Sequence, residues 1–309
     1  MNSSAHAHSS PLTTHCDDCG GLCCFADDST YSVSSRDQDT LEEKLNERYN
    51  MLAEYMTNNK LKLNDEKTHL IVMTTEQKRR RMKINTVINT SKKDILPIKS
   101  VKLLGIDIQE NLKWSEYILN NDKSLIKQLN SRLSALKMIS GVASFKTRLM
   151  IANGIFCSKL IFEICVWGGT EEFLLDALQK IQNKAARTVT KRGIYTPVSE
   201  LLRQCGWLSV RQLVHYHSVL TIYKTLQTTC PKFVHEKLQS EFSYNTRLAA
   251  SEVVRMGSEF QAKLSLTEKS FMNRSTVCFN QLPLDIRKIP KPDTFKKNLK
   301  LWVSENIPL

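Results

Sequence analysis

The spacing of apolar residues changes character twice along this chain. At the start, Leu22-Cys23-Cys24 runs into Phe25-Ala26-Asp27-Asp28, and 29–34 then alternates side chains in the strand period with Thr30, Tyr31 and Val33 among them. That arrangement predicts a β-hairpin with two adjacent carboxylates at its tip. From 39 to 58, Leu41, Leu45, Tyr49, Leu52 and Met56 recur every three or four positions. This is one face of an amphipathic helix, with Asp39 placed to cap it. A turn and then an apolar strand, Leu70-Ile71-Val72-Met73, are predicted over 60–73, and 83–88 and 99–108 read as strands completing a small sheet.

After Trp114 the period becomes helical. Helices are predicted over 117–139, 146–167 and 171–190, and Leu125, Leu129, Leu133, Leu136 and Ile139 form a stripe that belongs in a core. Gly168-Gly169 interrupts the pattern before the third helix, and Pro197 and Gly206 bracket a short one at 198–205. A longer helix over 208–228 stops before Pro231. The pattern loosens at 240–258, and two last helices, 273–280 and 294–303, are linked through Pro283, Pro290 and Pro292. No internal repeat is visible. The class is α+β, with the sheet strands in the first third and 240–258 an irregular connection that could hold further strand pieces.

Composition sets the outer limits. With 309 residues, 41% of them hydrophobic, the chain is long enough for two or more domains with real cores. Residues 1–14 are rich in Ser, His and Thr and lack an apolar centre, so they read as a disordered tail rather than a secretory signal. The most apolar stretch, 155–167, is too short to cross a bilayer and carries Lys159 and Glu163. An intracellular protein, nuclear or cytoplasmic, is therefore expected, with no membrane partner and no feature pointing to an oligomer. Nine cysteines in such a chain are reduced thiols, with Cys157, Cys165 and Cys278 serving as small core residues. Cys16-x-x-Cys19, next to His15, has the spacing of half a zinc site, but Cys23 and Cys24 point to opposite faces of a strand and cannot easily both reach one ion, so zinc stays open as the lesser reading. Asp17 and Asp18 lie in the same Cys/Gly-rich stretch and read as solvated loop. His215 and His217, two apart on a helix, face different ways and are not a metal pair.

Charge changes the picture more. The net charge is +13, with an isoelectric point near 9.3, so an anionic partner is expected. Lys180, Lys184 and Arg187 are spaced four and three apart, on one helix face, with Lys191 and Arg192 following. The stripe fits a phosphate backbone, or is a solvated face opposite Leu174, Leu178, Ile181 and Ala185. Lys78-Arg79-Arg80-Arg81 is a second cluster, readable as a loop charge run, a phosphate contact or a nuclear-import patch.

Taken in order, Phe25-Ala26-Asp27-Asp28, the 61–68 segment ending Asp65-Glu66-Lys67-Thr68, and Val101-Lys102-Leu103-Leu104-Gly105 closed by Asn111-Leu112-Lys113-Trp114 resemble a reverse transcriptase of the non-LTR, LINE-type (jockey-like) retrotransposons. Cys165-Val166-Trp167-Gly168-Gly169-Thr170, the helix from Leu178 to Arg187, and Cys278-Phe279-Asn280-Gln281-Leu282-Pro283 followed by Thr294-Phe295-Lys296 extend the resemblance over about 22–303. It implies an RNA-directed DNA polymerase acting on an RNA template and a DNA primer. It implies a tail at 1–21, a partial palm at 22–114 built from hairpin, helix and small antiparallel sheet, a helical thumb and connection at 115–195, and a mainly helical carboxy-terminal domain at 196–309. Asp27 and Asp28 would hold Mg2+, Lys67 would lie near the incoming triphosphate, and Leu103, Leu104 and Gly105 would support the primer end. Ala26 would let the primer terminus approach, and Phe25 stands where many relatives have tyrosine. The family's fingers and an earlier palm aspartate are not matched in the short segment before Phe25, so the expectation is a catalytically incomplete fragment. The alternative is a non-catalytic basic RNA- or DNA-binding module, or a functionless remnant of a mobile element.

Overall fold

The computed structural model describes residues 20–26, 28–64, 66–81, 86–90, 93–239, 254 and 269–309. They fall into two compact units, Met1–Lys113 and Trp114–Leu309. The first is mixed α and β; the second is helical.

The first unit opens with the expected hairpin. Strand β1 (Gly20–Phe25) pairs antiparallel with β2 (Asp28–Val33), in a register that sets Leu22 opposite Tyr31 and Phe25 opposite Asp28. Two residues therefore make the turn, and Ala26 sits there at φ +54°. Tight hairpin turns need positive φ, which glycine and asparagine adopt more readily than alanine. Helix α1 (Gln38–Asn58) follows and touches β2. Its cap is Asp37 rather than Asp39: the Asp37 carboxylate accepts from the Thr40 amide at 2.9 Å, which holds its pKa below the usual carboxylate value. Leu45 and Tyr49 of α1 cover a small core of Leu70, Ile88 and Ile95.

Strand expectations fare unevenly here. At 70–73 only Leu70 pairs, with Pro97, and the Ile98 amide donates to the Leu70 carbonyl at 2.8 Å. Proline has no amide to extend a ladder, so the predicted strand is reduced to one bridge. Ile88 pairs with Ile95 in another single bridge. A side chain supplies what a neighbouring strand would: Asn46 on α1 donates to the Val87 carbonyl at 2.9 Å and accepts from the Asn89 amide at 2.8 Å. The predicted strand 99–108 is itself a hairpin, β3 (Ser100–Leu103) with β4 (Ile106–Gln109), reversing at Leu104 (φ +47°) and Gly105 (φ +89°). Among the described residues the two hairpins form separate two-stranded sheets, not one sheet. Between them, helix α2 (Glu76–Arg81) carries the second basic cluster. Arg79 there pairs with Glu110 and donates to the Val72 carbonyl, and Lys78 donates to the Arg36 carbonyl. Lys78 and Arg79 of that cluster thus tie the unit together.

In the second unit, a π-helical turn (Glu116–Asn120) is separated from helix α3 (Leu125–Ser140). The predicted helix 117–139 breaks at Asn121, whose carbonyl accepts from the Ser124 amide in a tight turn. Leu125, Leu129, Leu133 and Leu136 are buried, as the stripe required. The predicted helix 146–167 is also divided: α4 (Phe145–Ile151), a π-helical segment (Ala152–Cys157), α5 (Ser158–Leu160), then α6 (Ile164–Trp167) after a left-handed Glu163. The break seats Trp167 wholly inside the core, where its indole N–H donates to the Phe162 carbonyl at 2.8 Å.

Helix α7 (Glu172–Thr190) and α8 (Val198–Cys205) follow the predicted bounds closely. Gly206, at φ +66°, ends α8 with paired bonds from its own amide to Arg203 and from Trp207 to Leu202. Helix α9 (Val210–Thr228) starts on a reciprocal Ser209–Gln212 cap. Then come α10 (Lys232–Gln239), α11 (Phe271–Asn280), α12 (Leu284–Arg287) and α13 (Pro292–Asn306). The predicted irregular segment 240–258 lies outside the described residues except Val254.

Core residues from both sides of position 195 pack together, with Leu136, Ala152, Ala186 and Val189 against Leu201, Leu202 and Cys205. Gln182 on α7 donates to the Leu208 carbonyl, and Gln179 accepts from the Val210 amide. The stretches 115–195 and 196–309 thus share a core within the compact unit Trp114–Leu309. The carboxy-terminal motifs are part of its second core: Phe279 and Leu282 are buried, Asn280 bonds both backbone groups of Val254, and Phe295 stacks on Tyr223 with ring centroids 3.7 Å apart.

Candidate nucleic-acid interface

The residues proposed for polymerase chemistry lie in the first unit. Asp28 is exposed at the start of β2; Asp27 lies outside the described residues, as do His15, Cys16, Asp17, Asp18 and Cys19. Phe25 is 64% exposed, so its ring does not serve a sheet core. Lys67 is exposed in a turn closed on the Asn64 carbonyl. That turn and 93–98 line an open depression of about 890 Å³, with Lys62, Glu66, Lys93 and Asp94 in its walls and Lys67 outside them. Leu103 ends β3 opposite Ile106, and Leu104 and Gly105 form the β3–β4 turn, with Leu104 exposed. No hydrogen bond or ion pair among the described residues joins Asp28, Lys67 and this turn. Nor do three His, Cys, Asp or Glu side chains come together among them as a metal-binding group. Two-metal nucleotidyl transfer needs several carboxylates around its ions, of which Asp28 could supply one.

The basic stripe is in the second unit. Buried Leu174, Leu178, Ile181 and Ala185 fix one face of α7 in the core and turn Lys180 and Lys184 to solvent. Arg187 is half-buried, and its guanidinium donates to the Ile194 carbonyl at 3.4 Å, so it also shapes the loop that follows. Helices α3 and α4 pack on α7. Arg148 is buried at that junction and donates to the Val189 carbonyl at 2.7 Å and to the Ala143 carbonyl at 2.5 Å. Lys191 reaches the Gly141 carbonyl at 3.4 Å. These bonds draw the end of α3, the start of α4 and the end of α7 together.

Charge is distributed unevenly over these segments. Residues 123–162 contain seven lysines and arginines and no carboxylate, and 177–199 contain five and none. Arg132 and Arg148 are taken up by backbone carbonyls. Lys137, Lys146, Lys180, Lys184, Lys191 and Arg192 are exposed. Packing has thus set two acid-free segments side by side, which gives a cationic surface that no anionic side chain of its own segments neutralises. Such a surface attracts polyanions and binds them by releasing their counterions. Sequence reasoning named only the α7 part; the missing carboxylates over 123–162 were the signal for Lys137 and Lys146.

Several thiols and histidines of the helical unit are packed into the fold. Burial pushes the Cys157 thiol up to about 12 and Cys278 to about 11, which keeps both protonated and inert, consistent with core roles. His215 and His217 are held below the ordinary histidine value by burial. Among the described residues, no helix is long and apolar enough to cross a membrane. No protein-family model matches the chain, and neither a curated protein nor a solved structure matches it.

Proposed function

We propose that this chain binds RNA or DNA through its phosphate backbone, with little sequence preference, on the face made by α7 and the α3–α4 junction. The carrying observation is that this face joins two acid-free segments and keeps Lys137, Lys146, Lys180, Lys184, Lys191 and Arg192 exposed. Resemblance to the LINE-type reverse transcriptases supports the same class of partner. In that reading, 22–114 would be a polymerase palm portion, 115–195 the thumb, and the chain a relative of an RNA-directed DNA polymerase whose ligand is a template and primer.

Fluorescence anisotropy with labelled RNA and DNA of several sequences tests the binding reading. Affinity is expected to fall linearly with salt on a log–log scale, and Lys180→Ala with Lys184→Ala to weaken every sequence alike and lower the slope by about one per lost contact. Unchanged affinity and slope in that double variant would make the α7 stripe a solvated face. The polymerase reading has its own assay. Mg2+-dependent extension of a primer on RNA that disappears in Asp28→Asn would support it, and no extension at any Mg2+ concentration would leave this chain a binding protein only.

A further inference from the structure

The basic face ends in an apolar tip that its own fold does not cover. Two loops meet there. One joins α3 to α4, and the other joins α7 to α8 after Lys191 turns the chain at φ +55°. Val142 is 95% exposed, Met138 85%, Ile194 73% and Tyr195 93%. The tip is held in place: Lys191 donates to Gly141, Arg187 to Ile194, the Thr196 amide to Gly193, and Arg148 to Ala143. Lys137, Lys146, Lys191 and Arg192 flank it, with no carboxylate in either loop.

Large apolar side chains left in water on an ordered, cationic surface mark a contact site. The charge selects an anionic partner, and a planar phenol left 93% exposed in the loop that follows Lys191 and Arg192 suits a partner with flat apolar faces between its charges. We infer that Tyr195 and its neighbours are a stacking platform for unpaired bases, so that this face takes single-stranded nucleic acid, or a frayed end, in preference to duplex. A duplex hides its base faces and offers phosphates alone, whereas stacking on an aromatic ring serves any base and adds affinity without sequence preference. This rests on the phosphate-binding reading above and adds to it which form of nucleic acid is bound.

The test uses the full chain and three fluorescent probes of equal length: a 15-nucleotide oligothymidine, the same backbone with abasic sites, and a blunt duplex. The unmodified protein is expected to bind oligothymidine tightest. Tyr195→Ala should weaken that binding about tenfold, leave the abasic and duplex probes within about twofold, and keep the salt slope, while Tyr195→Phe retains the preference. Because the side chain is exposed, an unchanged urea midpoint confirms that each variant folds. Lys180→Ala with Lys184→Ala should instead weaken all three probes together. If the abasic probe binds as tightly as oligothymidine, or Tyr195→Ala matches the unmodified protein, the platform is wrong while phosphate binding stands. If no probe binds at all, both readings fall. Tyr195-dependent binding to anionic phosphatidylserine vesicles without a single-strand preference would assign the tip to a lipid surface and overturn the inference.

Discussion

Acid should destabilise the helical unit through one histidine. His215 lies on the inner side of α9, buried, with its ring 5.6 Å from that of Trp302 and its Nε2 without a hydrogen-bond partner among the described residues. Burial lowers its pKa from 6.5 to about 4. Between those values the unfolded chain holds a proton that the folded chain refuses, so stability present above pH 6.5 is lost as the pH falls towards 4. Integrating proton uptake for a single site gives a loss of about 2 kcal/mol at pH 5 and about 3 kcal/mol at pH 4, relative to pH 7. His215→Leu removes the site and keeps an apolar contact for Trp302; His217, shifted in the same direction, remains in both proteins and cancels. All four tryptophans, Trp114, Trp167, Trp207 and Trp302, belong to this unit, so their fluorescence follows its unfolding in urea. At about 2 kcal/mol per molar urea, the midpoint of the unmodified protein should fall about 1 M further than that of the variant between pH 7 and pH 5. Parallel pH profiles for the two proteins would show that His215 accepts a proton in the folded state and would refute the argument.

Gly169→Ala should destabilise the same unit by about 1–3 kcal/mol, because the new methyl would run into the Lys269 carbonyl and the Arg274 guanidinium; the urea midpoint reads it, with Gly141→Ala, which meets nothing within 4 Å, as the neutral control. Asn46→Ala should free the Asn89 amide and cost about 2 kcal/mol for the bonds lost to Val87 and Asn89, besides the one to Glu42 on its own helix, read as faster hydrogen exchange at the Asn89 amide. Ala26→Gly relieves a left-handed alanine and should slow exchange of the β1–β2 amides by up to about tenfold, a change that Ala26→Val would reverse.

How much of this was legible in advance depended on how local each signal was. The acidic hairpin, α7 and α8 were readable because their causes lie within a few residues: alternation and a two-residue turn, a 3.6-residue stripe, a Pro start and a Gly stop. The class of the fold followed from the same periods. Some misses were local, such as the Asn121 turn that divides 117–139 and the reversal at Leu104-Gly105; the others were non-local. Nothing near Leu70 says that its partner is Pro97, which cannot extend a ladder, and nothing near Ile88 says that Asn46 will bond the adjoining backbone in place of a strand. The helix over 146–167 had an unbroken pattern, and only the burial of Trp167 against a carbonyl five residues back shows where it divides. The same distinction applies to the candidate interface. The chain itself fixed the number of cations and the absence of carboxylates over 123–162 and 177–199. Tertiary structure decided that these segments meet, that Arg132 and Arg148 bond backbone carbonyls inside the fold, and that Tyr195 is left in water. A side chain's charge is its own, but its exposure depends on distant neighbours, so the sign of the charge was readable from sequence and the surface that presents it only from the fold.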